Sequence, residues 1–319
     1  MLRSIAPWVG RRVLGALLTL VVASVIIYST LRLVPGDPVL ALSGGRRLNA
    51  AQIEALRHSY GLDQGFAQGY LVWITDALHL DLGRSLVYQT SVTSLLTSRL
   101  GVSGLLIVYS ALLATVFGLG VGLLSAVKGG LVNRAASILA SVSTATPTFL
   151  AAIGLLTVFS VNLGWFPATG AGTGFGDRIW HLTLPAFAMA IAVFGVLARL
   201  STVAFTEELG REHVEVARSR GIGGGAVIAR HVVRNALPPL LTVIGLLVAT
   251  LFVGTAVVES AFGLDGVGSL LVRAVSRRDF PVVQGIALIA VALFVVVNTL
   301  VDLVTPFVDP RITSGGPAR

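Results

Sequence analysis

The chain has no cysteine, two methionines and one lysine, and only 12% of its 319 residues are charged. Without cysteine there is no disulfide framework and no thiolate ligand or nucleophile. The lysine, Lys128, follows Val127 and precedes Gly129. The Gly-Lys-Ser/Thr end of a phosphate-binding loop is therefore missing, and the chain carries no ATP site of that kind. The five histidines (His58, His79, His181, His213 and His231) are scattered without metal-ligand spacing. Neither Gly-x-Ser-x-Gly nor His-Glu-x-x-His occurs. Soluble domains are about 25% charged; half that share points to a protein embedded in lipid.

What is present is apolar: 55% of the residues are hydrophobic and the mean hydropathy is +0.87. A helix needs about 20 apolar residues to cross a hydrocarbon layer of roughly 30 Å. Six runs qualify, at residues 13–34, 100–127, 135–161, 182–205, 237–258 and 282–305. Only helices satisfy their own backbone over such lengths in lipid, so the sequence predicts an all-α polytopic membrane protein with six transmembrane helices. The first run follows Arg3, Arg11 and Arg12 but is longer than a signal-peptide core of about 7–15 residues. We read it as a retained span.

The net charge of +8 has a topological explanation. With the N-terminus in the cytoplasm, the inner segments (1–12, 128–134, 199–235 and 306–319) hold thirteen basic and five acidic residues. The outer ones hold ten basic and nine acidic, and Asp302 lies in the last span. This is the positive-inside bias, with both termini cytoplasmic and no need to invoke nucleic acid.

Three parts follow: residues 1–34 as N-terminal segment and first span, 35–99 as an extracytoplasmic helical region, and 100–319 as a five-helix core. Pro35-Gly36-Asp37-Pro38 is a turn signal that stops the first span. Asn49 and Gln52 have capping-box spacing, and Ile53, Leu56 and Tyr60 then share a helical face before Gly61. A second amphipathic segment carries Phe66, Tyr70, Trp73, Ile74 and Ala77. These helices read either as a packing cap on the bundle or as a contact for an external partner. Pro147 and Pro185 fall within the third and fourth spans and should kink them. Trp165 and Phe166 sit in an outer turn, where interfacial aromatics collect.

Charges at mid-bilayer are costly and mark ion-coupled transport, yet the middles of these spans have almost none. Asp302 lies one turn after Asn298, near a helix end. Glu259 ends the fifth span, either lining an exit path or sitting at the interface. A transporter of this composition has to borrow its energy.

The most informative segment is the polar, basic loop of residues 206–239. Glu212 and Glu215 suit a helix N-terminus, and Arg218 and Arg220 its C-terminus. Val214 and Ala217 share one face. Gly221 is a helix stop, and Gly223, Gly224 and Gly225 permit a sharp turn. In a second helix Val227, Ile228, His231 and Val232 lie on one side, flanked by Arg230 and Arg234; Pro238 and Pro239 then begin the fifth span. Such a helix-turn-helix reads either as a surface gripped by another protein or as an interfacial hairpin that anchors the spans.

Glu215-Val216-Ala217 followed by Gly221 resembles the Glu-Ala-Ala…Gly loop of binding-protein-dependent ABC importer permeases, with Val216 in place of the central alanine. Arg234-Asn235-Ala236-Leu237 with Pro239 is similar to the end of that loop in the oligopeptide/dipeptide/nickel branch, with Pro238 as an extra proline. Leu31-Arg32-Leu33 with Pro35-Gly36-Asp37-Pro38, Gly61-Leu62-Asp63-Gln64, Asp81-Leu82-Gly83-Arg84-Ser85 and Leu163-Gly164-Trp165-Phe166-Pro167 resemble the same branch. So do Gly266-Val267-Gly268, Arg278-Asp279-Phe280-Pro281-Val282-Val283-Gln284 and Asp309-Pro310-Arg311. The order of these motifs, across nearly the whole chain, is specific.

The resemblance implies the type I ABC importer permease fold and a non-catalytic membrane subunit in a bacterial plasma membrane. Its implied partners are a second, unlike permease, two ATPase subunits that carry ATP and Mg, and an extracytoplasmic solute-binding protein. No cofactor belongs to this chain. It also implies an ATPase-coupling role for Glu212, Glu215, Ala217, Arg218, Arg220, Gly221, Asn235 and Pro239. Glu259, Asp265, Arg278 and Asp279 are candidates for an exit path or for touching the binding protein. Peptides are the expected cargo. Nickel or a metal chelate is the alternative within the branch, with His79 and His213 as faint pointers. An ion-coupled transporter should have broken helices and midplane charges, and a membrane scaffold has no need of the glycine-hinged loop.

Overall fold

The computed structural model describes residues 2–33, 49–59 and 63–308. The Pro35-Gly36-Asp37-Pro38 turn, Tyr60, Gly61, Leu62 and the Asp309-Pro310-Arg311 motif lie outside the described residues, as does the side chain of Asp302. Among the described residues the α-helices run, in order, α1 (Leu2–Arg32), α2 (Ala50–Ser59), α3 (Phe66–Leu78), α4 (Val92–Lys128), α5 (Gly130–Ala145) and α6 (Thr148–Leu155), then α7 (Phe175–Leu209), α8 (Glu212–Ser219), α9 (Gly224–Val227), α10 (Arg234–Ala261), α11 (Val267–Ser276) and α12 (Phe280–Val308). Two π-helical turns, Leu156–Asn162 and Ile228–Val233, extend α6 and join α9 to α10. Among the described residues the only extended pairing is one bridge between Arg84 and Ser91.

Five helical stretches are long and apolar enough to cross a membrane: Gly10–Arg32, Val92–Lys128, Phe175–Leu209, Gly224–Ala261 and Phe280–Leu300. The expected third span is instead two helices, Gly130–Ala145 and Thr148–Asn162, bent by 102°. Its two ends nevertheless lie at opposite ends of the bundle. Ala126, just before α5, packs in the apolar cluster around Val214. Past α6, Gly170 N–H donates to the Phe262 carbonyl, 3.1 Å away at the end of α10. The bent pair therefore passes from one end to the other and completes six crossings.

The two prolines behave differently. Thr146 is extended before Pro147, as a residue preceding proline favours, and the helix breaks there. Pro185 lies inside an unbroken α7. Around it Leu182, Leu184, Ala186, Ala188 and Met189 are almost fully buried, so the helix continues, tightly packed, past its missing amide. The centre of the bundle is α7 on α4, where glycine lets the backbones approach. A Cβ on Gly122 would lie 2.4 Å from that of Ser201, and one on Gly195 would lie 2.3 Å from the Ala140 carbonyl on α5.

Asn49 and Gln52 form the expected reciprocal cap, each backbone amide donating to the other's side chain at 3.0 and 2.8 Å. Helix α3 lies along α1, with Tyr28 in edge contact with Phe66 and Tyr70 and beside Trp73, and Ser24 bonded to the Tyr70 hydroxyl at 2.8 Å. For α3, the packing-cap reading describes the geometry.

Candidate functional site

The loop after α7 is built as its sequence dictates. Glu212 and Glu215 occupy the first turn of α8 and Arg218 the last, offsetting the partial charges of the helix ends. The helix then closes in a Schellman motif: Ile222 N–H donates to the Ala217 carbonyl at 3.3 Å and Gly221 N–H to that of Arg218 at 3.0 Å. That geometry needs a left-handed residue, which Gly221 supplies at φ +75°.

One face of α8 is sealed. Val214 and Ala217 are buried with Phe205, Val227, Val232, Ala236 and Leu240, and Leu119 and Leu123 of α4 pack beside them. The opposite face is open: Glu212, Glu215, Val216, Arg218 and Arg220 are exposed. A cavity of about 400 Å³ lies among Glu212, His213, Val216, Ala217, Arg220, Ile222 and His231. Ala217 thus sits with Val214 in the sealed cluster while its charged neighbours face outward.

The second half of the loop differs from expectation. The sequence predicted a separate helix ending before Pro238 and Pro239; instead one continuous helix runs over Gly224–Ala261, with both prolines inside it. They withhold amide donors from the carbonyls of Arg234 and Asn235, one turn back. The π turn at Ile228–Val233 lies directly upstream. Asn235 Nδ2 donates to the His231 carbonyl at 2.8 Å and lies 3.2 Å from His213 Nε2.

The sequence reading did not single out Glu208. It is buried at the end of α7, where it lies 3.0 Å from Arg211 Nε and 3.1 Å from His213 Nε2. A signal was available: an acid in the last turn of a helix opposes the helix dipole and needs a local partner, and Arg211 stands three residues on.

At the far end of the bundle the four other candidates separate. Glu259 is fully buried. It accepts from Ser103 Oγ at 2.6 Å and from Ser269 N–H in the first turn of α11 at 2.8 Å, while Val267 N–H donates to Ser103 Oγ at 2.8 Å. A Cβ on Gly266 would lie 2.3 Å from the Glu259 carboxyl group, so glycine is what admits the carboxylate. Asp279 is also buried, accepting from Ser85 Oγ at 2.5 Å. Both carboxylates tie turns of the bundle together, and Glu259 also borders a cavity of about 460 Å³ shared with Asp265, Val272 and Arg273. Asp265 is exposed and bridges Arg99 and Arg273. Arg278 is exposed with a left-handed backbone, φ +55°. No cluster of histidine and acidic residues able to hold a metal occurs among the described residues.

The comparisons with known proteins agree with this architecture. Residues 118–314 match the family described as the binding-protein-dependent transport system inner membrane component, and residues 1–103 its N-terminal counterpart. The chain is 36% identical over 304 residues to the glutathione transport system permease protein GsiC of Pectobacterium atrosepticum, covering 95% of this chain and 97% of that one. It is equally identical, 36% over 307 residues, to a putative peptide permease protein of Brucella suis, covering 94% and 95%. A chain of the methionine ABC transporter MetNI, solved in inward-facing conformations, superposes with a TM-score of 0.53 at 17% identity, over 67% of this chain and 96% of that one; it shows the shared fold. A six-crossing helical bundle with an anchored, outward-facing loop helix, matched along almost its whole length, belongs to the inner-membrane component family of binding-protein-dependent ABC transport systems.

Proposed function

We propose that this chain is one permease of an ATP-driven peptide importer, paired with a second, unlike permease. It works with two ATPase subunits and an extracytoplasmic binding protein, in a bacterial plasma membrane with both chain ends cytoplasmic. It holds no nucleotide of its own; ATP and Mg belong to the ATPases. The carrying observation is α8: a helix sealed to the bundle through Val214 and Ala217 and open on its other side. A motor subunit that grips Glu212, Glu215, Arg218 and Arg220 over the cavity beside them pulls directly on the membrane helices. Asn235 and Pro239, in the first turns of α10, pass that pull into the span. The peptide reading is supported by relatives named for glutathione and peptide transport, and the orientation by the basic excess on the loop side.

The test is transport by the complete assembly in proteoliposomes, with labelled di- to pentapeptides as cargo and Ni²⁺ as competitor. Glu215→Arg places a cation in the first turn of α8 and on its open face. Gly221→Val forces a β-branched residue into a left-handed backbone, at a cost of roughly 1–2 kcal/mol. Both are expected to insert normally and to lose uptake per ATP hydrolysed. Undiminished uptake in both variants removes the docking role, and displacement of cargo by Ni²⁺ removes the peptide assignment.

A further inference from the structure

Glu208 is the one carboxylate of the loop region that is buried, and it is placed against its helix dipole, which makes it costly unless it is used. Its two oxygens are divided between elements. Oε2 takes Arg211, in the link to α8; Oε1 takes His213, in the first turn of α8. With Nε2–H donated to Glu208, the nearby Asn235 amide, itself a donor that bonds the His231 carbonyl at 2.8 Å, does not bond His213; the acceptor that His213 Nε2 faces at the root of α10 is the His231 carbonyl, 3.5 Å away. Three contacts thus join the end of one membrane helix, the exposed helix and the root of the next membrane helix. The apolar cluster under α8 is closed but non-directional, and alone it permits α8 to slide or roll. The polar chain fixes its angle.

We propose that Glu208 is a positioning residue, which locks α8 to the end of α7 through His213 so that displacement of α8 turns both α7 and α10. This rests on the docking reading above and adds to it the path by which the movement is passed on. An interfacial hairpin that only anchored spans has no use for a buried carboxylate tying its angle.

The experiment uses the full assembly with Glu208→Gln, His213→Ala and the double variant. Because the chain has no cysteine, spin labels at Val203→Cys and Ser219→Cys, both exposed, report the angle of α8 against α7. Glu208→Gln is expected to assemble with its ATPases and keep its KM for ATP. Its uptake per ATP is expected to fall roughly ten-fold, as loss of a charge-assisted contact implies, with a broader label distance distribution. The double variant should be no worse than either single one, since all cut the same link. Unchanged uptake per ATP overturns the proposal. So do losses that multiply in the double variant, or an unbroadened distribution. Should Glu208→Gln fail to fold, His213→Ala severs the link from its half-buried side, and normal coupling there is equally fatal. Failure of the docking reading is distinguishable, because then Glu215→Arg transports normally, whatever happens at Glu208.

Discussion

Three non-glycine residues among those described, Leu80, Gln89 and Arg278, carry backbone conformations that glycine normally takes. Leu80 and Arg278 have φ of +64° and +55°, and each sits one residue past a helix cap inside a Schellman motif. Asp81 N–H reaches the Asp76 carbonyl, and Asp279 N–H that of Ala274. A non-glycine residue there costs about 1 kcal/mol or more. Arg278→Gly is therefore expected to raise the thermal midpoint of the purified protein in detergent by a few degrees, as ~1 kcal/mol does in proteins of this size. A fall in midpoint instead means that the guanidinium contributes more than the strain removes. The sequence announced Gly221 as a helix stop by residue type alone, but gave no such notice for Leu80 or Arg278. Burial was equally hidden. Nothing in the order of residues showed that Glu259 and Asp279 are buried; tertiary contacts turn them inward.

At the scale of helices, pattern was enough for most of the architecture. The apolar runs located the crossings, and Asn49 with Gln52 marked a helix start. Val214 and Ala217 marked the sealed face of α8. What pattern could not decide was how each proline would act. Pro147 breaks its helix, Pro185 does not, and Pro238 and Pro239 sit inside a continuous helix just past its π turn. The outcome depends on which neighbours pack around each one, which a linear reading does not contain.

The same dependence on neighbours yields a prediction for α11. Glu259→Ala leaves Ser103 Oγ and Ser269 N–H without their buried acceptor, a loss of about 1–3 kcal/mol for each stranded group. Hydrogen exchange should accelerate in the first turn of α11 while α7 keeps its protection. Uniform acceleration throughout the bundle, or none in α11, contradicts the capping role.

At the scale of the whole molecule, the bent pair counts as a crossing only if its ends emerge on opposite faces. The cysteine-free background makes this directly measurable. Single cysteines at Lys128 and at Trp165, on either side of the bent pair, should react with a membrane-impermeant maleimide from opposite sides of the membrane. Labelling of both from one side reduces the crossings to five and separates the chain ends. The +8 net charge was interpretable as topology because the basic excess followed the expected alternation of loops. Its agreement with the bent pair was unavailable from composition, since a 102° break leaves hydropathy unchanged.

Helix α10 with its upstream turns forms a rod of 38 residues, about 57 Å at 1.5 Å per residue and nearly twice the roughly 30 Å of hydrocarbon. Its π turn holds a surplus residue in register. Were that surplus expelled, everything below it would swivel by about 100°, the rotation of one helical step. The seam at Ile228–Val233 therefore divides the rod into a shaft seated in lipid and a crank outside it, whose relative azimuth is set by a single residue.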